Sequence, residues 1–383
     1  MKRIYLDNAA TTAIRPEVTE VMMDCIKNIY GNPSSLHTEG RQARALLERA
    51  RKVIASSIGA SIGEIFFTSG GTESNNMALK CAVRDLGVNR IITSKVEHHC
   101  VLHSVDTLKA FNNVDVDYVN VDAHGRADLN HLRSLLGSSD KKTLVSLMHA
   151  NNEIGTLNDI ATIGEICKEH KALFHSDTVQ TIGHYPINVN AVNINFLSGA
   201  AHKFHGPKGV GFIYIKNTNI IKPFIDGGAQ ERNMRGGTEN VSSIAGMAEA
   251  LKIGLENLEE ETRHITDLKN YMEKKLKGIF PDIIINGCPE DSLYTVLNVS
   301  FPPHEKSEML LMLLDISGIS ISGGSACSSG SEKGSHVIQE IGTPTDYKSI
   351  RFSFSHYNTL SDIDETCSTL GSILSPSSNL KTA

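Results

Sequence analysis

Residues 64–76 read EIFFTSGGTESNN, and the change of character in the middle of that stretch sets the class of the whole chain. EIFFT is a short apolar, β-rich run. Ser69-Gly70-Gly71-Thr72-Glu73 follows, and a helix-like pattern opens at Ser74. Strand, glycine turn and helix in that order predict the start of an α/β unit. Two glycines and a threonine ahead of a helix also offer backbone N–H groups and a hydroxyl to a phosphate at the positive helix end. Taken alone, Gly-Thr in that place is more often a turn with an N-cap.

The same alternation extends in both directions. Upstream, Ala43, Leu46, Leu47, Ala50, Val53, Ile54 and Ile58 recur at helical spacing. Downstream, β-rich runs appear as RIITS (90–94), DYVNV (117–121), TLVSLMH (143–149), ALFHS (172–176), NINFLS (193–198) and GVGFIYI (209–215), with helix-like segments between several of them. The pattern predicts an α/β domain with a mostly parallel sheet. One long helical pattern over 240–278 leads out of it. TVLNVSF (295–301) and SIRFSFS (349–355), with helices between, predict a smaller α+β domain joined by the N-terminal residues. The expected boundaries are 15–256 for the large domain and 1–14 with 257–383 for the small one.

Composition narrows the function classes. With 383 residues, 40% apolar and 21% charged, the chain can bury a sizeable core in an ordinary globular protein. A net charge of −6 with no basic stripe argues against a nucleic-acid surface. The opening MKRIYLDNAATT has too few apolar residues for a signal peptide, and no apolar run approaches the ~20 residues of a membrane helix, so a cytoplasmic location is expected. Seven scattered cysteines without a CxxC pair predict neither a disulfide framework nor a zinc site, and no metal ligands are assigned. Most of these cysteines are expected to be small reduced residues.

In open α/β sheets ligands bind beyond the carboxyl ends of the strands. Five predicted strands end in polar clusters: Ser69–Glu73, Glu97-His98-His99, Asn151-Asn152-Glu153, Asp177-Thr178-Val179-Gln180 and His202-Lys203. Each has an ordinary structural explanation. The aspartate could cap a helix, and the lysine could be a solvated surface residue. Together they supply a phosphate cradle, an anion for a protonated pyridine nitrogen, an imidazole to stack and a candidate Schiff-base amine, a combination that fits pyridoxal phosphate.

Ten motifs in order carry a resemblance: YLDNAATT (5–12), YGNPSSLH (30–37), FTSGGTESNN (67–76), EHHCVL (97–102), ANNEIGT (150–156), HSDTVQTIG (175–183), AHKFHGPKGVG (201–211), RGGTEN (235–240), GGSACSSGS (323–331) and IRFSFS (350–355). Over nearly its whole length the chain resembles the cysteine desulfurases of the NifS/IscS type, within the class V aminotransferases. The resemblance implies a fold-type I pyridoxal-phosphate-dependent transferase, with a large domain around a mostly parallel seven-stranded sheet plus a smaller α+β domain. It implies a homodimer with L-cysteine as substrate and a sulfur-acceptor or iron–sulfur scaffold protein as partner.

It also implies roles for residues. Lys203 holds the cofactor and moves the Cα proton. Asp177 pairs with the pyridinium nitrogen, and Gln180 touches the ring oxygen. His98 stacks on the ring and helps deprotonate the substrate thiol. Gly71, Thr72 and His202 hold the phosphate, and Thr238 reaches the phosphate of the neighbouring subunit's cofactor. Asn152 and Arg351 orient the substrate, the planar guanidinium facing its carboxylate. Cys327 receives the sulfur as a persulfide. Its setting, SGGSACSSGS (322–331), predicts an exposed loop rather than core. His99, His103 and His205 have no matched role.

Three positions depart from the family pattern. Ala200 stands where a phosphate-binding serine is usual, with Ser198 two residues earlier. Gly71 stands where alanine is common. Lys333-Gly334-Ser335-His336 lacks the usual proline before serine. Three competing readings stand beside it: a selenocysteine lyase or another class V enzyme, a non-catalytic partner that binds cofactor or accepts persulfide from another enzyme, and a phosphate-binding structural protein. Intact Lys203, Asp177, His98 and Cys327 argue against the second.

Overall fold

The computed structural model describes residues 3–323 and 334–375; Cys327 therefore lies outside the described residues. The chain divides into two compact units, one of residues 11–151 and 156–258, the other of residues 1–10, 152–155 and 259–383.

The larger unit is built on seven strands: β1 (Ile65–Thr68), β2 (Arg90–Ser94), β3 (Asp115–Val119), β4 (Thr143–Ser146), β5 (Leu173–Asp177), β6 (Phe196–Ala200) and β7 (Gly211–Ile215). Their order is β1-β7-β6-β5-β4-β2-β3. All neighbours pair in parallel except β7, which is antiparallel to both β1 and β6. Successive side chains on a strand face opposite sides, and the core divides accordingly. Ile92, Val145 and Leu197 join one buried cluster, while their neighbours Ile91, Leu144 and Phe196 join the other. Both faces of the sheet are thus covered, as a parallel sheet requires. Each such side chain contributes roughly 1.5–3 kcal/mol by leaving water.

Two strands sit differently from the sequence pattern. The run at 117–121 pairs instead over Asp115–Val119, and the run at 193–198 pairs over Phe196–Ala200. Asn193 is in the left-handed conformation, φ 52, ending the short helix Val189–Val192, so the strand cannot begin there. The single helical pattern over 240–278 is two helices, Val241–Glu256 and Leu258–Ile279. Between them Asn257 leaves the helical region and turns its N–H back to Ile253 and Leu255. Each helix keeps its own apolar face, so the periodicity runs across a break it does not record.

In the smaller unit Val296–Phe301 is the central strand of three, antiparallel to Ile284–Asn286 and to Lys348–Ser353. Ile4–Tyr5 pairs in parallel with Ile319–Ser320, which ties the N-terminal residues to this unit. The register sets Arg351 opposite Asn298, whose amide in turn donates to the Glu153 carbonyl at 3.0 Å.

Candidate active site

The carboxyl ends of β1, β2, β5 and β6 lie along one edge of the sheet and carry four of the five polar clusters. Immediately after β1, Gly70 adopts φ 151, a conformation that favours glycine, and the helix Gly71–Leu86 begins. A Cβ built on Gly71 would lie 2.6 Å from Val179 Cγ2 and 3.7 Å from Ala200 Cβ. The helix start, the turn after β5 and the end of β6 therefore meet at Gly71. The first N–H groups of this 16-residue helix have no intrahelical acceptor, which suits an anion.

Asp177 ends β5 and is buried. Its Oδ1 accepts from the Val179 N–H at 3.0 Å and its Oδ2 from Asn75 Nδ2 at 2.6 Å. A buried carboxylate so held is ready to face a protonated ring nitrogen. Ser198, the nearest serine to the departure at Ala200, has its hydroxyl 3.5 Å from Asp177 Oδ1, while Ala200 is itself buried. Gln180 is buried in the turn that follows Asp177.

His98 is the N-cap of the helix His99–Asn112, its Nδ1 accepting from the Cys100 N–H at 3.2 Å. His202 and Lys203 occupy the single turn after β6. The His202 carbonyl accepts from Thr12, and the Lys203 carbonyl pairs with the half-buried His184 ring at 3.0 Å. Burial, with the charges of Lys203 and Lys208 nearby, pushes the His202 pKa down to about 4. The ring is thus neutral at pH 7, and its buried Nδ1 finds no hydrogen-bond partner among the described residues. An orphaned ring nitrogen, a helix N-terminus, a buried carboxylate and a primary amine make a chemically consistent set for pyridoxal phosphate.

Thr238 is exposed. Its segment is anchored by Arg235, which forms two hydrogen bonds, at 2.9 and 3.2 Å, to Glu73 in the first turn of the helix Gly71–Leu86. Thr72, in the same turn, is exposed.

In the smaller unit Arg351 is only 1% exposed. Its Nη2 pairs with Asp7 Oδ1 at 2.9 Å and its Nη1 donates to the Asn152 carbonyl at 2.8 Å. The two residues expected to orient substrate are thus in direct contact, and Nε of Arg351 finds no hydrogen-bond partner among the described residues. Glu153, beside Asn152, accepts from the Ser335 hydroxyl at 2.5 Å.

Sequence reasoning passed over Asn75 and Cys100. Asn75 Nδ2 lies 3.2 Å from Cys100 Sγ as well as 2.6 Å from Asp177, and Cys100 Sγ lies 3.0 Å from His98 Nδ1. The available signal was the spacing: Cys100 stands two residues after a histidine at a helix start. The His99 ring lies 5.4 Å from that of His103, tilted by 31°, and 6.3 Å from that of His98, edge to face. Among the described residues no group of histidine, cysteine and carboxylate side chains could hold a metal.

Residues 4–366 match the aminotransferase class-V family. The chain is 44% identical to cysteine desulfurase IscS of Dictyoglomus turgidum, over 98% of this chain and 95% of that one. It is 42% identical to cysteine desulfurase IscS of Methanosarcina thermophila, over 99% and 94%. Among solved structures, a NifS-like protein superposes with a TM-score of 0.90 at 37% identity, covering 97% of this chain and 99% of that one. SspA in complex with cysteine superposes with a TM-score of 0.81 at 31% identity, covering 93% and 100%. With its sheet order, its strand-end residues and these relatives in agreement, the chain belongs to the class-V aminotransferase family, in the branch of the NifS- and IscS-type cysteine desulfurases.

Proposed function

We propose that this protein is a pyridoxal-phosphate-dependent cysteine desulfurase that converts L-cysteine to L-alanine and passes the sulfur, through a persulfide on Cys327, to an acceptor. The observation that carries the reading is the buried Asp177 carboxylate, fixed by Asn75 and Val179 on the edge that also bears His98 and Lys203. Bound pyridoxal phosphate supplies an electron sink for the substrate's Cα. Asp177 keeps the ring nitrogen protonated by its charge. Gly71, Thr72 and His202 hold the phosphate, with His202 acting as a neutral hydrogen-bond partner. Lys203 holds the cofactor and takes the Cα proton. Arg351 and Asn152 orient the substrate. The Cys327 thiolate forms a bond to the substrate's sulfur as the Cβ–S bond breaks.

A homodimer fits the larger unit, where Ile26, Tyr30 and Leu36 present exposed apolar side chains and Thr238 is exposed to reach a second copy. No helix among the described residues is long and apolar enough to cross a membrane. An iron–sulfur scaffold in the cytoplasm is the proposed destination of the sulfur. The test is to incubate the purified holoenzyme with L-cysteine and a thiol reductant and to measure sulfide and alanine together. Equal amounts of the two support the reading. Pyruvate in place of alanine, or no turnover with cofactor bound, would refute it.

A further inference from the structure

Asn75 is fully buried, and its amide orientation follows from its partners. The Asp177 carboxylate can only accept, so the NH2 group faces it, at 2.6 Å. The second hydrogen of that NH2 is directed to Cys100 Sγ at 3.2 Å. On the other side Asn75 Oδ1 accepts from His175 Nε2 at 3.1 Å, and His175 Nδ1 accepts from the Ser146 hydroxyl at 2.8 Å. Burial lowers the His175 pKa to about 4, so that ring is neutral with its hydrogen on Nε2. The Thr72 hydroxyl is a further hydrogen-bond partner of the Cys100 thiol. With Cys100 Sγ accepting from Asn75 and from Thr72, its own hydrogen is left for the acceptor 3.0 Å away, His98 Nδ1. The same nitrogen accepts from the Cys100 backbone N–H at 3.2 Å.

We propose that Cys100, held by Asn75, is a positioning residue that locks His98 in the tautomer with its hydrogen on Nε2. Two donors converge on Nδ1, which places the ring's hydrogen on Nε2. His98 would have to break both contacts before acting as a base through Nε2. Because Asn75 serves Asp177 and Cys100 with the two hydrogens of one NH2 group, the anion for the cofactor's nitrogen and the stacking imidazole are oriented by one buried side chain. Burial and the Asp177 charge push the Cys100 thiol up to about 12, so it keeps the hydrogen it donates. The contact to the cofactor rests on the proposed function; the tautomer does not.

The test is nitrogen NMR of 15N-histidine-labelled holoenzyme, with His98→Gln to assign the ring. Wild type should show a pyridine-type Nδ1 and a pyrrole-type Nε2 for His98. Cys100→Ala should add a second set of His98 ring signals and lower kcat for cysteine severalfold with KM within about twofold. Cys100→Ser, whose hydroxyl can donate to the same nitrogen, should recover a single set and most of kcat. A hydrogen on Nδ1 in wild type, or Cys100→Ala indistinguishable from wild type in both readouts, would overturn the proposal. Absence of alanine with the expected tautomer present would instead count against the desulfurase reading.

Discussion

Gly71 and Val179 share one space: a methyl on the glycine would press to within 2.6 Å of the valine's Cγ2. The missing Cβ at the helix start is thus offset by the branched side chain after Asp177. Gly71→Ala is expected to weaken pyridoxal phosphate retention and to destabilise the fold by ~1–3 kcal/mol through overpacking. Adding Val179→Ala should restore both. Cofactor dissociation constants and thermal midpoints of the single and double variants check this, and additive losses in the double variant would contradict it.

Asp7 holds the buried Arg351 guanidinium at 2.9 Å. Asp7→Asn keeps a hydrogen-bond acceptor but removes the charge. The account expects KM for cysteine to rise ~10-fold, about 1.4 kcal/mol of binding, with a smaller effect on kcat. Steady-state kinetics separate the two. A loss confined to kcat would assign Asp7 a different role.

Arg51 and Glu231 form a buried bidentate pair at 2.7 and 2.9 Å, and the Phe67 N–H donates to the same carboxylate at 2.8 Å. Glu231, Arg232 and Asn233 all have positive φ, so the pair anchors a strained turn leading to Thr238. Glu231→Gln should cost ~3–5 kcal/mol in urea unfolding, because it leaves the Arg51 charge buried without its counterion. Replacing both residues with apolar ones of similar size should cost less. Equal losses would refute the pairing argument.

Burial pushes His149 and His175 down to about 4 from an ordinary 6.5. Between pH 6.5 and 4 the unfolded chain binds protons at these positions that the folded chain refuses. Stability therefore falls as pH falls through that window, by up to ~1.4 kcal/mol per pH unit for each group. His149→Asn should flatten the slope of unfolding free energy against pH. An unchanged slope would show that His149 can take a proton in the folded state.

Much of the larger unit was legible because its strands are short apolar runs closed by polar clusters, as at Ile65–Thr68 with Gly70 and Gly71, and at Leu173–Asp177. Periodicity failed at Asn257, where two apolar faces continue across a break, and at Asn193, where a left-handed residue delays the strand. The motif residues were placed by resemblance. The contacts that orient them were not legible, since Asn75 meets Asp177 across 102 positions and Arg51 meets Glu231 across 180. Side-chain hydrogen bonds of that separation leave no periodic trace. Cys100 looked like one more small reduced thiol until its neighbours were known.

The most direct test of sulfur transfer is peptide mass spectrometry of the holoenzyme after brief exposure to L-cysteine, beside a Lys203→Ala control. The account predicts one added sulfur atom on the peptide containing Cys327 in wild type and none in the control. Added sulfur on Cys100 or another cysteine, with Cys327 unmodified, would contradict it.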